Sequence, residues 1–113
     1  MIDIWEELRA KENHLDSALK SLRANGSAYA QAEKEYKEAV SKEALRLKDE
    51  GMPVSLIDKV IYGLPSVSVL RFNRDVARVV YEANKEAINV KKLELRILEN
   101  QYETEFNNGG KQG

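Results

Sequence analysis

The chain has 113 residues, of which 33% are charged and 42% apolar, and its formal net charge is −1. This length predicts one domain, and the balanced charge gives no overall attraction to nucleic acid or to a membrane surface. Cysteine is absent, which excludes disulfides and cysteine-ligated zinc sites.

The hydropathy of the chain predicts a cytoplasmic protein. The first residues, Met1 to Glu7, are acidic and lack an apolar run, whereas a signal peptide is basic and then apolar. No segment approaches the ~18 consecutive apolar residues that a membrane span requires. We therefore expect no membrane contact, and we expect the protein to work in the cytoplasm.

The first predicted element is a long helix, from about residue 3 to about residue 50, without proline. Gly26 lies on its apolar seam, and Leu22 and Tyr29 keep the same helical phase on either side. We therefore predict that the helix continues through Gly26, where glycine either weakens the helix or lets another backbone come close. The seam alternates spacings of three and four, as in a helix that packs against one neighbour. It contains Ile4, Leu8, Leu15, Leu19, Leu22, Tyr29, Tyr36, Val40, Ala44 and Leu47.

Glycine and proline mark the end of the first helix. Gly51 stands where a helix-terminating glycine is expected, and Pro53 follows two residues later. Ser55 is the predicted N-cap of a short helix over residues 55–62.

A second long helix is predicted over residues 66–106, with Ser66 as its cap after Gly63 and Pro65. The glycine-rich segment 107–113 is predicted to be a flexible tail. The predicted fold is therefore all-α: residues 1–106 form one domain, a long antiparallel helical hairpin, coiled-coil-like, with a short helix at the connection.

The apolar residues of the last helix span about half of its circumference, which is more than one neighbouring helix covers. Contiguous apolar patches of several hundred Å² are unusual on monomers. We therefore expect the hairpins to pair into a helical bundle, as a homodimer in the first instance. The alternative is that the short middle helix folds back and covers part of this face. The candidate self-association residues are Val69, Val76, Val80, Ala83, Ala87 and Leu98.

Glu94 interrupts this apolar face, where an unpaired carboxylate would be costly. If the two long helices pair so that residue numbers sum to about 116, Glu94 lies opposite Arg23. We predict an Arg23–Glu94 ion pair that fixes the register of the hairpin, or else a partner for Glu94 from a second copy.

Six basic residues share an arc of about 60° on the last helix, opposite the apolar face. Such a stripe is suited to phosphates or to an acidic partner surface. Asp75, Glu82 and Glu86 lie beside it, so a solvated helix face with i,i+4 ion pairs is the favoured interpretation, and nucleic-acid binding stays the alternative. The stripe consists of Arg71, Arg74, Arg78, Lys85, Lys92 and Arg96.

The residue pattern does not predict an enzyme. The only histidine, His14, lies on the first helix without the positioned carboxylate that acid–base catalysis needs. The Glu-x-x-His pattern of di-iron bundles and the glycine loop of phosphate sites are both missing from the sequence. We therefore expect no cofactor, no metal and no catalytic residues.

Three stretches carry a family resemblance: Glu50 to Ile57, Leu70 to Ala77 and Lys92 to Glu99. They resemble small helical proteins without an assigned activity that phages and prophages of Gram-positive bacteria encode. The likeness covers most of the chain from about Ala32 to Gln101 and rests on structural motifs. It implies a phage accessory protein, expressed with replication or recombination genes, that acts in the host cytoplasm on other phage or host proteins.

Overall fold

The computed structural model describes residues 3–111, and every regular element among them is helical. Helix α1 spans Ile4–Asp49, α2 spans Val54–Val60, a 3₁₀ turn spans Ile61–Gly63, and α3 spans Pro65–Lys111. The predicted all-α helical hairpin is confirmed. Its contacts group into a central unit, Ala24–Glu82, and a terminal unit, which joins the chain up to Arg23 with the chain from Ala83 onward.

Gly51 ends α1 as predicted. Its φ of 91° lies in the left-handed region that glycine adopts without strain. The Gly51 amide donates to the Lys48 carbonyl and the Met52 amide donates to the Leu47 carbonyl, both at 3.0 Å. This pair of bonds is a Schellman motif, and Met52 packs against the cluster around Leu47, as the motif commonly requires.

Helix α2 begins one residue before the predicted N-cap, Ser55. Pro53 occupies the cap position with φ of −62° and ψ of 144°, and α2 starts at Val54. Because the proline ring fixes φ and an initial helical position needs no amide donor, Pro53 starts the helix more effectively than Ser55 does.

The core of the central unit lies where α2 meets the two long helices. Leu47, Ile57, Ile61 and Val67 are each 5% exposed or less and form one cluster. Ile57 and Ile61 therefore cover Leu47 and Val67. The alternative in which the middle helix covers part of the apolar face of α3 therefore holds at Val67 but does not extend to Phe72, which is 67% exposed.

Helix α1 continues through Gly26, as predicted. A Cβ atom at Gly26 would lie 3.2 Å from Cε2 of Tyr81. The rings of Tyr81 and Tyr29 meet at 5.9 Å between centroids. Gly26 therefore makes room for an aromatic side chain of α3, whereas the sequence suggested room for a backbone.

The terminal unit has its own apolar cluster. Leu8 of α1 packs with Leu95 and Leu98 of α3, and all three are 8% exposed or less. The Asn84 amide nitrogen Nδ2 donates to the carbonyl of Ala18 at 3.1 Å. Contacts near the start of α1 thus involve late residues of α3, so the two helices are antiparallel in this unit.

Helix α3 runs to Lys111, so the prediction that it ends near residue 106 is wrong. An existing helix propagates without a new nucleation cost, so Gly109 and Gly110 weaken the last turns without ending them. The rest of the predicted tail, residues 112–113, lies outside the described residues. The single-domain boundary of 1–106 stays a prediction.

Gly26→Ala tests the close approach of Tyr81. In a Tyr81→Ala background the substitution should raise the free energy of unfolding by about 1 kcal/mol, because alanine is the better helix former. With Tyr81 present the gain should be at most about half of that, because the ring must shift to admit the methyl group. Urea unfolding of the four variants measures this coupling, and an equal gain in both backgrounds would contradict the contact.

Candidate interaction surface

One side of α3 in the central unit is apolar and uncovered. We call it the apolar strip and define it as Val69, Phe72, Val76, Val79 and Val80. Their exposed fractions are 57%, 67%, 45%, 63% and 46%. Spacings of three and four keep the strip on one side of the helix. Val67, two positions before Val69, is 0% exposed, because two helical positions differ by about 200° around the axis.

Most of the apolar strip borders a shallow depression. Four of its residues, together with Asp75, line a shallow groove of about 250 Å³. Grooves with apolar walls and a polar border are typical of surfaces that receive a helix or a large side chain from another molecule.

The predicted self-association residues divide into three groups. Val69, Val76 and Val80 belong to the apolar strip. Ala83 and Ala87 are exposed on α3 in the terminal unit. Leu98 is 8% exposed in the cluster with Leu8, so it packs within the chain and its assignment to the self-association face is wrong.

Leu98 was misassigned because the apolar half of α3 contains two adjacent faces, one for α1 and one for solvent, which the width of the pattern does not separate. Phe72 and Val79 are not among the predicted self-association residues, although both are among the most exposed residues of the strip. The signal that finds them is the unbroken 3-and-4 spacing from Val69 through Phe72 and Val76 to Val79.

Glu94 does form an ion pair across the hairpin, but Lys11 is its partner rather than Arg23. Lys11 Nζ lies 2.8 Å from Glu94 Oε2, and the two side chains are 33% and 40% exposed. The hydrogen bond from Lys11 and then its charge lower the pKa of the Glu94 carboxyl. The same hydrogen bond and charge raise the pKa of the Lys11 ammonium.

The register explains why Arg23 is not the partner. Residue numbers 11 and 94 sum to 105 in the terminal unit, and 33 and 74 sum to 107 for the Glu33–Arg74 pair of the central unit. The predicted sum of about 116 assumed that the chain reverses direction in the middle of the segment that connects α1 to α3. Because Ile57 and Ile61 pack beside Leu47, α3 packs against residues that lie closer to the N-terminus of α1 than the prediction assumed.

The basic stripe is partly engaged within the central unit. The Arg74 guanidinium lies 4.6 Å from the centre of the Tyr36 ring and contacts Glu33 at 3.3 Å and Asp75 at 2.8 Å. Its side chain is only 17% exposed, so Arg74 faces α1 rather than solvent.

The other stripe residues are more accessible. Arg78 lies 3.5 Å from Asp75, and Arg71 stands over the Tyr62 ring at 5.3 Å. In the terminal unit Lys85, Lys92 and Arg96 are exposed on α3. Arg71 and Asp75 have the i,i+4 spacing expected of the ion pairs beside the stripe, but Asp75 contacts Arg74 and Arg78 instead.

His14 is exposed on α1. Within residues 3–111, no three histidine, cysteine or carboxylate side chains are grouped as a metal site would require. The helices of this part of the chain include none that is long and apolar enough to cross a membrane. No protein-family model, curated protein or solved structure shows significant similarity to the chain.

Lys11→Met tests the ion pair and its pH dependence. The pKa of Glu94 should rise toward the ordinary glutamate value of 4.5, which an NMR titration of its carboxyl carbon measures. The stability that the pair contributes should be lost as pH falls through the lowered pKa of Glu94. It should also be lost as pH rises through the raised pKa of Lys11.

The matched control is Lys20→Met, which removes an exposed lysine of the same helix. It should leave the titration of Glu94 unchanged. Unfolding free energies of wild type and Lys11→Met that differ equally at neutral and strongly acidic pH would contradict the assignment.

Proposed function

We propose that this protein is a non-enzymatic accessory protein of the phage type that self-associates through the apolar strip and acts through protein contacts in the cytoplasm. The observation that carries the proposal is the exposure of the strip. Phe72 and Val79, with exposed fractions of 67% and 63%, stand on a helix whose other side already packs against α1 and α2.

The area of the strip suits an interface. Its five side chains together expose roughly 450 Å² of apolar surface, within the range of about 300–600 Å² of the largest patch on a typical monomer, which is often functional. Covering the strips of two copies would remove about 900 Å² from water, close to the ~1,000 Å² that is the lower limit for a biological interface. Polar residues at the border of the strip would add to this area.

The non-enzymatic part of the proposal rests on the chemistry of the chain. It has no cysteine, and its single histidine is exposed on a helix surface. The ion pairs of Lys11 and Arg74 join α1 to α3 and so have a structural use. These observations favour a role in which the surface of the folded hairpin, rather than a pocket, contacts other molecules.

Phe72→Glu tests self-association. At tens of micromolar, sedimentation velocity should show the wild type as a dimer and this variant as a monomer, because two carboxylates would have to be buried in the interface. Leu45→Glu is the matched control: Leu45 is 63% exposed on α1, so this variant should remain dimeric. Circular dichroism should show equal helicity in all three. A monomeric wild type would contradict the proposal.

A second function, DNA binding by an accessory of phage replication or recombination, is favoured by one observation. Lys92 and Arg96 are exposed on one side of α3, and spacing of four residues places them one turn apart. Against it, Arg74 is held by Glu33, Asp75 and Tyr36 within the central unit.

The variant that tests DNA binding is therefore Lys92→Glu with Arg96→Glu, since changing Arg74 would disturb the fold. If the protein binds DNA, fluorescence anisotropy should show salt-dependent binding that this double variant loses, because phosphate contacts release counterions. Absence of wild-type binding to single- and double-stranded DNA at low salt would remove this function.

A further inference from the structure

We propose that a second surface of the central unit, a basic groove beside the connection between α1 and α3, binds an acidic peptide segment of another protein. The inference deepens the action through protein contacts proposed above, on which it rests, and it does not depend on self-association. The basic groove and the apolar strip lie on different sides of α3. Arg74, which lines the groove, precedes Val76 by two helical positions, or about 200° around the axis.

The basic groove combines an apolar base with positive charge. It has a volume of about 380 Å³, and all of its lining residues belong to the central unit. Tyr36, which is 8% exposed, and the half-buried Val40 form the base. Lys37 of α1, Arg74 of α3 and Tyr62 of the 3₁₀ turn also line it. Few polar groups around an apolar base are typical of a groove that takes a side chain with an apolar stem and a charged end.

The ion pairs along the basic groove leave positive charge in excess. Glu33 lies 3.7 Å from Lys37 and 3.3 Å from Arg74. Asp75 lies 2.8 Å from Arg74 and 3.5 Å from Arg78. This series of contacts therefore joins three cations through two carboxylates and has a cation at each end. One more carboxylate would balance its charge.

Arg74 keeps hydrogen-bond donors for such a carboxylate. Within the described residues its guanidinium donates from Nε to Asp75 at 2.8 Å and from Nη1 to Glu33 at 3.3 Å, which leaves Nη2 without a partner. None of the described side chains has a nitrogen or oxygen that is both buried and unpaired, so Nη2 is open to solvent. Because the Arg74 side chain is only 17% exposed, a carboxylate bound there would be less screened by water than one on an open surface.

Arg71 places a further cation beside the basic groove. Its guanidinium stands 5.3 Å from the centre of the Tyr62 ring. Arg71 is exposed, and Tyr62 is 45% exposed. A cation next to an accessible aromatic ring suits an acidic residue that has an apolar neighbour in its own sequence.

A peptide suits the basic groove better than nucleic acid does. Glu33 and Asp75 both lie within 3.3 Å of Arg74, so a strand of successive phosphates would meet carboxylates as well as cations. A single carboxylate with an apolar neighbour requires only the donors of Arg74, the charge of Lys37 and the apolar base.

Blocked dipeptides test the chemistry of the ligand. N-acetylated, C-amidated Leu-Glu should shift the backbone amide NMR signals of Val40, Ser41 and Tyr62, with a dissociation constant on the order of 1 mM, as expected for so small a contact. The uncharged analogue Leu-Gln should bind about tenfold more weakly, because it lacks the charge-assisted hydrogen bond. Equal affinities, or no shift at ten times that concentration of Leu-Glu, would overturn the inference.

Lys37→Glu tests the location of the binding site. It brings a negative charge into the basic groove and should weaken binding of Leu-Glu about fivefold. Lys34→Glu is the matched control: Lys34 is 67% exposed and Lys37 is 75% exposed, and each contacts a glutamate four residues away. Lys34 does not line the groove, so this variant should bind as the wild type does. Circular dichroism should show equal helicity, and an equal loss of binding in both variants would overturn the inference.

A single strand of ten thymidines distinguishes phosphate from peptide carboxylate. It should leave the signals of Val40, Ser41 and Tyr62 in place, and shifts of these signals at lower concentrations than Leu-Glu requires would overturn the inference.

Sedimentation of the same samples separates this inference from self-association. A dimer that does not bind Leu-Glu overturns the inference and leaves self-association standing. A monomer that binds Leu-Glu supports the basic groove although self-association fails.

Discussion

Within each unit helices α1 and α3 meet along a narrow seam, and a single neighbouring helix covers only part of a helix's circumference. The apolar face of α1 is only as wide as its contact with one neighbouring helix, whereas the apolar residues of α3 extend well beyond that contact around the helix. In the central unit the hairpin and α2 together bury Val67 and Ile61, but they leave Phe72 and Val79 in solvent. The uncovered side of α3 therefore follows from helix geometry, and an apolar surface of this size favours contact with another molecule.

Side-chain contacts of different kinds hold the seam in register. In the central unit the small Gly26 admits the ring of Tyr81, and Arg74 joins Glu33 to the face of Tyr36. In the terminal unit Lys11 meets Glu94, and Asn84 donates to the Ala18 carbonyl. An ion pair as exposed as Lys11–Glu94 adds little to stability, but a hairpin shifted by a few residues would lose all of these contacts together. The polar and aromatic residues therefore specify the register of the two helices, while burial of the apolar seam supplies most of the favourable free energy of folding.

Much of the fold is predictable from the sequence because glycine, proline and hydrophobic periodicity report local geometry. Gly51 marks the end of α1, and the constant phase of Leu22 and Tyr29 indicates that the helix continues through Gly26. The partner of Glu94 is not predictable in this way, since it depends on how α2 packs against Leu47, which is a tertiary contact. Leu98 was misassigned for a related reason, because the two adjacent apolar faces of α3 differ in their neighbours and not in their residue types. The apolar strip itself was largely predictable, since its spacing is regular from Val69 to Val80.

The central claim is that two sides of α3 in the central unit have different partners, one within the chain and one outside it. Methyl NMR on dilution of the protein tests this most directly, with Val67 and Val76 as reporters on the same helix. Val67 is 0% exposed and Val76 is 45% exposed. The account predicts that the methyl shifts of Val76, Val79 and Val80 change with concentration, while those of Val67 and Ile61 stay constant. Shifts that are independent of concentration throughout, or that change at Val67 as much as at Val76, would contradict it.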